Sequence, residues 1–218
     1  MSFSQIKQFL LDLLFPIDCL GCGQKDTWLC ENCFQKIKIL DNNLIPKNND
    51  TLFLDKIISA CHYKNSLLEK IIPTFKYKFA TELARPLGQI LIQTLSKFEI
   101  PSETILIPVP LHQKRFNERG FNQAELLAKE LSLHFDLLLQ TKIISRTKNT
   151  EHQARLNRTE RLQNLDQCFR CLNPDLVKNK NIILIDDVLT TGSTLNNIAE
   201  ILKKSGAKEI WGLVVAHE

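Results

Sequence analysis

The 218-residue chain has the composition of a globular protein, with 44% hydrophobic residues and a formal net charge of +4 at pH 7. A chain of this length buries one core and can carry a small additional module. No run approaches the roughly 18 uncharged apolar residues that a membrane span requires, and the N-terminal FLLDLLF contains Asp12. We therefore expect a soluble, cytoplasmic protein without a membrane span or a polybasic tail.

Two C-x2-C turns in CLGCGQKDTWLCENC have a spacing typical of zinc sites. Each turn directs two thiolates at one centre, and two turns provide the four soft ligands that tetrahedral Zn²⁺ prefers. A closed set of four thiolates indicates a structural metal, and the alternatives are two unrelated thiol pairs or a redox motif. The predicted zinc ligands are Cys19, Cys22, Cys30 and Cys33.

Three further cysteines complete an odd total of seven. The absence of a signal peptide, together with this odd count, favours reduced thiols or metal ligands over disulfides. Cys61, Cys168 and Cys171 are predicted to be ordinary buried or semi-buried residues, because no further ligand follows them at metal-binding spacing.

The chain divides into a small metal module and a larger α/β domain. We predict a zinc-binding double-CxxC module over residues 1–56, docked by an apolar helix around residues 6–15 and followed by a second domain over residues 57–218. The polar stretch 42–50 is the predicted linker.

Short apolar runs alternate with helical periods in the second domain. Their continuous apolarity fits a parallel sheet that is covered on both faces, so the predicted fold class is α/β and doubly wound. The predicted strands are IISACHY (57–63), ILIPVP (105–110), IILI (182–185) and IWGLVVA (210–216), and the helical repeats are centred on residues 124–131 and 195–202, the latter ending at Gly206.

Positive charge is concentrated in the middle of the chain. Residues 1–56 have a net charge of −1, whereas residues 57–160 have a net charge of +5. Within the second stretch, RTKNTEHQARLNRTER (146–161) holds five Lys or Arg residues against two Glu residues. This composition indicates an anion-binding segment or, alternatively, a solvated helix face.

Acidic and hydroxyl side chains lie next to each other after the predicted strand 182–185. In a parallel sheet, ligands collect beyond the carboxyl ends of the strands. The TTGST stretch offers hydroxyls, a glycine and the first N–H groups of a helix, which together suit a phosphate. Asp186 and Asp187 would repel phosphate, so they are expected to contact sugar hydroxyls or a Mg²⁺ ion. We therefore predict a sugar-phosphate site, the alternative being a capped helix without a ligand.

IILIDDVLTTGSTL resembles the phosphoribosyl-pyrophosphate (PRPP) loop of type I phosphoribosyltransferases. The resemblance implies that the two aspartates meet the ribose hydroxyls or a magnesium ion. It implies that the following residues, Thr190, Thr191, Gly192, Ser193 and Thr194, hold the 5′-phosphate. It also implies a pyrophosphate loop after an earlier strand, here Val109, Pro110, Leu111, Lys114 and Arg115.

A narrower resemblance covers nearly the whole chain. LLFPIDCLGCG, FKYKFATELARPLG, IPVPLHQKRFNERGFNQAELLAKEL and SRTKNTEHQARLNRTERLQN, followed by the PRPP loop, resemble the ComF family of competence proteins. The most specific parts are RGFNQ and the pattern formed by Thr150, Gln153, Leu156, Arg158, Arg161 and Asn164. This family pairs a four-cysteine zinc module with a phosphoribosyltransferase-like domain and helps single-stranded DNA to enter the cytoplasm.

The resemblance implies a competence protein that handles incoming single-stranded DNA, binds PRPP or a related nucleotide, and has DNA-uptake and recombination proteins as partners. The alternative is an active phosphoribosyltransferase in nucleotide salvage, although no residues identify an acceptor base or amine. Zinc and magnesium are the implied metals. The arginines expected to contact DNA or pyrophosphate are Arg119, Arg146, Arg155 and Arg158. DNA binding by the zinc module alone is disfavoured by its negative charge and few aromatic residues.

Overall fold

The computed structural model describes residues 17–147 and 168–218. A five-stranded parallel sheet with the spatial order β1-β7-β6-β2-β3 forms its centre, and β4 and β5 form a separate antiparallel pair. The strands are β1 (Lys56–His62), β2 (Thr104–Pro108), β3 (Leu138–Leu139), β4 (Ile144–Arg146), β5 (Phe169–Cys171), β6 (Asn181–Leu189) and β7 (Ile210–His217). The four predicted strands correspond to β1, β2, β6 and β7.

Both predicted helices are confirmed, as α5 and α6. Asp136, in the left-handed conformation with φ of 53°, ends α5, and Gly206 with φ of 90° follows α6. The described helices are α1 (Glu31–Phe34), α2 (Leu68–Tyr77), α3 (Ala84–Leu95), α4 (Gln113–Arg119), α5 (Gln123–Phe135) and α6 (Ser193–Lys204). None of these helices is long and apolar enough to cross a membrane.

The sheet separates two apolar cores because side chains alternate along each strand. Strand β7 shows this alternation. Trp211, Leu213 and Val215 join the core beneath α2, α3 and α5. Ile210 and Val214 join the core beneath α6 and the β4–β5 pair. Helices therefore cover both faces of a parallel sheet. The predicted α/β, doubly wound fold class is confirmed.

The order of the strands places a crevice between β2 and β6. These two strands pair in parallel, with Pro108 opposite Ile185. The helix that follows β2 on the way to β3, α5, packs on one face of the sheet, whereas α6, which follows β6, packs on the other. Connections that diverge to opposite faces leave an opening at the carboxyl ends of the strands, which is where ligands bind in such sheets.

The segment predicted as a linker is packed against the sheet. Leu40 donates its backbone N–H to Ala60, and Ile45 donates to Ile57. Asn43 is 2% exposed and its side-chain amide donates to the carbonyl of Ser59. Residues 40–45 thus run beside β1 and satisfy its open edge, because a free edge strand leaves unpaired backbone groups. The domain boundary at residue 56 stays a prediction, and the expected helix at 6–15 lies outside the described residues.

Candidate functional site

The two adjacent aspartates lie on β6 at the carboxyl edge of the sheet. Asp187 is buried, and its Oδ1 atom lies 2.9 Å from Nζ of Lys76 at the end of α2. The backbone N–H of Asp187 donates to Oδ1 of Asp186 at 2.9 Å. The ion pair satisfies a carboxylate that burial alone would destabilise. The acid pair is therefore held rigidly, with one charge already balanced by the protein.

Asp186 has an unusual charge environment. Burial, together with the neighbouring charge of Asp187, raises the pKa of Asp186 to about 7, although Lys76 and Arg146 oppose the rise. A carboxyl that is costly to ionise gains from a cation or from hydroxyl donors placed against it. Carboxylate oxygens are also the ligands that Mg²⁺ prefers, so this pair fits either a ribose or a magnesium ion.

The predicted phosphate loop joins β6 to α6. Thr190 and Thr191 are exposed, and Oγ1 of Thr191 lies 2.8 Å from Oγ of Ser193. Gly192 has φ of 85° and is the residue that precedes α6, which begins at Ser193. Thr194 is half-buried in the first turn of the helix. Hydroxyls and the free N–H groups of a twelve-residue helix thus face the carboxyl edge of the sheet together.

Replacing Gly192 by alanine should cost about 2 to 4 kcal/mol of unfolding free energy. The positive φ strains any residue with a Cβ, and that Cβ would lie 2.5 Å from Cγ2 of Thr51. Adding Thr51→Ser, which deletes the clashing methyl and keeps the hydroxyl, should recover part of the loss in denaturant unfolding. Equal stability of the single and double variants would contradict the clash.

The predicted pyrophosphate loop lies beside the acid pair. Val109 donates its N–H to the carbonyl of Ile185 at 2.9 Å, and its own carbonyl accepts from Nδ2 of Asn122 at 3.0 Å. Pro110 and Leu111 are half-buried, and Lys114 is exposed on α4.

Arg146 lies within electrostatic range of both Arg115 and Asp186. Burial and then the charge of Arg115 lower the pKa of Arg146, and the charge of Asp186 opposes this. Arg146 is therefore close enough to Asp186 and to Arg115 to feel both charges, and a second cation beside it suits an anionic ligand. Arg155 and Arg158 lie outside the described residues.

Arg119, which was predicted to contact DNA or pyrophosphate, is a buried residue of α4. It is 7% exposed, and it donates from Nη1 to Oε1 of Gln123 and from Nη2 to Oη of Tyr77, each at 3.1 Å. Gln123 in turn lies 3.4 Å from the carbonyl of Lys76. The guanidinium thus joins α4 and α5 to the end of α2 and is not presented to solvent.

The RGFNQ stretch (119–123) ties the elements of the site together. Gly120, with φ of 75°, ends α4, and Asn122 both caps α5 and holds Val109. Gln123 and Arg119 fix the end of α2, which carries Lys76. Sequence reasoning missed Lys76, because its partner Asp187 is more than a hundred residues away; the only signal was the FKYK stretch.

The four cysteines of the C-x2-C turns form one cluster. Their Sγ atoms all lie within 4.8 Å of one another, with Cys19 and Cys30 at 3.7 Å and Cys22 and Cys30 at 3.6 Å. Four sulfurs around a tetrahedral zinc with Zn–S bonds of about 2.3 Å would be about 3.8 Å apart. A disulfide is excluded at these separations, because its sulfurs lie about 2 Å apart.

The electrostatics of the cluster also fit a metal ion. Burial raises the pKa of Cys19, but backbone N–H groups outweigh it and lower the pKa to about 6. Burial and the neighbouring thiols raise the pKa of Cys33 to about 12. A Cβ on Gly21 would lie 2.6 Å from Sγ of Cys33, so the turn requires glycine there. Four thiolates can be ionised together only around a cation, and this donor set suits zinc.

Comparison with known proteins agrees with this geometry. A family model for the phosphoribosyl transferase domain matches residues 117–217. Competence protein F of Haemophilus influenzae is 35% identical over 207 residues, covering 91% of this chain and 90% of that protein. Competence protein ComFC of Bacillus subtilis is 30% identical over 203 residues, covering 83% and 80%. DNA utilization protein YhgH of Escherichia coli is 32% identical over 154 residues, covering 67% and 66%. With its cysteine cluster and its phosphoribosyltransferase domain, the chain belongs to the ComF family of competence proteins.

Proposed function

We propose that this protein acts in the cytoplasm during natural transformation, where it handles incoming single-stranded DNA and binds PRPP or a related nucleotide. The observation that carries the nucleotide part is the position of the Asp186–Asp187 pair beside the Thr191–Ser193 loop at the start of α6. The names of the relatives, two competence proteins and a DNA utilization protein, support the DNA part.

The charges of the site suit a magnesium-bound sugar phosphate. The phosphate would lie against the hydroxyls and N–H groups of the loop, and the arginines Arg115 and Arg146 would face a pyrophosphate group. The ribose hydroxyls or the metal would meet the carboxylates. Lys76 contacts one oxygen of Asp187, so the second oxygen of Asp187 and the carboxylate of Asp186 are the acceptors for such a ligand.

Changing Asp187 to asparagine should weaken binding of PRPP in the presence of Mg²⁺. The substitution deletes a charged acceptor, which is worth about 1.5 to 3 kcal/mol, or about a ten- to hundredfold loss of affinity. Isothermal titration calorimetry measures it, with Asp175→Asn as the matched control because Asp175 is exposed on a distant turn. Unchanged affinity in Asp187→Asn would contradict the site.

The same variant tests whether ligand binding serves transformation. In a competent bacterium whose own copy of the gene has been deleted, Asp187→Asn should restore fewer transformants than the natural sequence or Asp175→Asn. Release of pyrophosphate from PRPP with a panel of bases would instead favour the phosphoribosyltransferase in nucleotide salvage. Full transformation by Asp187→Asn would show that the nucleotide site is not needed for DNA handling.

A further inference from the structure

Exposed aromatic rings gather where the end of α2 meets α4. Tyr77 and Phe79 are each 66% exposed and Phe116 is 41% exposed. Among the described residues, Phe53 is the other aromatic side chain in this exposed class. Rings of this size usually dominate cores and interfaces, because each can bury about 150 to 250 Å². We call Tyr77, Phe79 and Phe116 the aromatic patch.

The protein supports the rings of Tyr77 and Phe79 from beneath. Arg119 is buried, donates to the hydroxyl of Tyr77 and stacks on its ring at 4.8 Å from the centroid. Phe79 lies against Gly120, where an added Cβ would be 3.3 Å from Cε1 of Phe79. The backbone N–H of Gly120 donates to the carbonyl of Phe116 at 2.7 Å. The RGFNQ stretch that organises the nucleotide site therefore also supports the aromatic patch.

The backbone conformation of Phe79 is unfavourable for a bulky residue, which indicates that its ring serves function and not stability. Phe79 has φ of 53° and follows Lys78, the residue that caps α2. Glycine is the favoured residue at this position after a helix, because it adopts the left-handed conformation without strain. The chain instead places a bulky residue there and leaves most of its ring in solvent. Such an outlier is typical of functional surfaces.

The charge around the patch is positive. Residues 76–79 and 113–120 together carry five Lys or Arg residues against one acid, Glu118. Of these cations, Lys78 and Lys114 are exposed, whereas Lys76 pairs with Asp187 and Arg119 is buried. Aromatic faces beside cations are the means by which proteins bind unpaired nucleic acid, since every base offers a flat face and every nucleotide a phosphate. The patch is also continuous with the nucleotide site, because Tyr77 follows Lys76, whose Nζ contacts Asp187.

We propose that the aromatic patch stacks unpaired bases of single-stranded DNA, while the exposed lysines Lys78 and Lys114 meet its phosphates. The inference rests on the proposed function for the identity of the strand and adds the surface on which the strand lies. Duplex DNA is a poorer ligand because its base faces are already covered by neighbouring bases.

The test uses the full-length, zinc-loaded protein with Phe79→Gly and Phe116→Ser, singly and together. Binding of a labelled oligothymidylate, followed by fluorescence anisotropy, should weaken about five- to hundredfold for each ring removed. An abasic sugar-phosphate strand of the same length should bind the variants and the natural protein equally. The melting temperature of Phe79→Gly should be unchanged or higher, because glycine relieves the strained backbone.

Two controls separate stacking from other effects. Leu133→Ser removes another exposed apolar side chain, on α5, and should leave strand affinity unchanged. The slope of log affinity against log salt should be the same in all variants, because that slope counts phosphate contacts and not stacked rings.

Unchanged affinity for oligothymidylate, or an equal loss on the abasic strand, would overturn the proposal. A loss confined to thymidine monophosphate, with strand binding intact, would also overturn it and assign the rings to a free nucleotide. The natural protein is titrated with PRPP in parallel. Failure to bind PRPP there would count against the proposed nucleotide site and leave the stacking result standing.

Discussion

Replacing Cys30 by serine should release the metal and unfold the N-terminal module. Sγ of Cys30 lies within 3.7 Å of the sulfurs of both Cys19 and Cys22, and its backbone N–H donates to Sγ of Cys19. Three cysteines are the buried residues of this small core, with Leu29 and Leu67 packed beside them. Within the part of the module that the structure describes, this cysteine core is small, so we expect the metal to supply much of the folding free energy, which is about 10 to 16 kcal/mol in zinc-finger peptides.

Zinc content and thermal unfolding measure this result. The natural protein should hold about one zinc per chain. Cys171→Ser should keep that metal, because Cys171 lies on β5, outside the cluster. Cys30→Ser should lose the metal and expose Leu20, Trp28 and Phe34, which pack on the main core, so its tryptophan fluorescence should shift to the red. A Cys30→Ser protein with full zinc and natural fluorescence would contradict the four-thiolate site.

The features that the sequence predicted well depend on residues that are close together along the chain. The C-x2-C turns set the positions of paired thiols within a few residues, and the sulfurs do converge. The apolar runs at 182–185 and 210–216 fit strands inside a covered sheet, and β6 and β7 are two of its three inner strands. The aspartates were predicted to follow the strand 182–185, whereas β6 continues through them to Leu189; their position at the carboxyl edge, before a helix, still follows from this short stretch of sequence.

What the sequence could not predict depends on contacts between distant residues. The Lys76–Asp187 ion pair joins α2 to β6, and the hydrogen bond from Arg119 to the hydroxyl of Tyr77 joins α4 to α2. Helix α2 was not predicted, and it contains Pro73, a residue that is unfavourable in a helix interior. Arginines are also ambiguous in sequence: Arg119 and Arg115 are four residues apart, yet Arg119 is buried and Arg115 is partly exposed.

Replacing Lys76 by methionine should destabilise the protein without Mg²⁺ and make it more responsive to Mg²⁺. Methionine keeps the length of the side chain and removes the charge that balances Asp187. Losing one partner of a buried pair costs about 3 to 5 kcal/mol. The Lys76 side chain is 23% exposed and that of Asp187 is 8% exposed, so we expect a smaller loss, about 1 to 3 kcal/mol of unfolding free energy.

The response to Mg²⁺ distinguishes a structural ion pair from a cation position within a ligand site. In the natural protein, Nζ of Lys76 contacts Oδ1 of Asp187, so added Mg²⁺ competes with the lysine ammonium group for this carboxylate. In Lys76→Met the pair of aspartates has no such cation, and Mg²⁺ should raise the melting temperature more than it does in the natural protein. Lys70→Met is the matched control, because Lys70 is exposed on the same helix. Equal Mg²⁺ responses in all three proteins would mean that Asp187 does not bind the metal, and Lys76 would then be a structural partner alone.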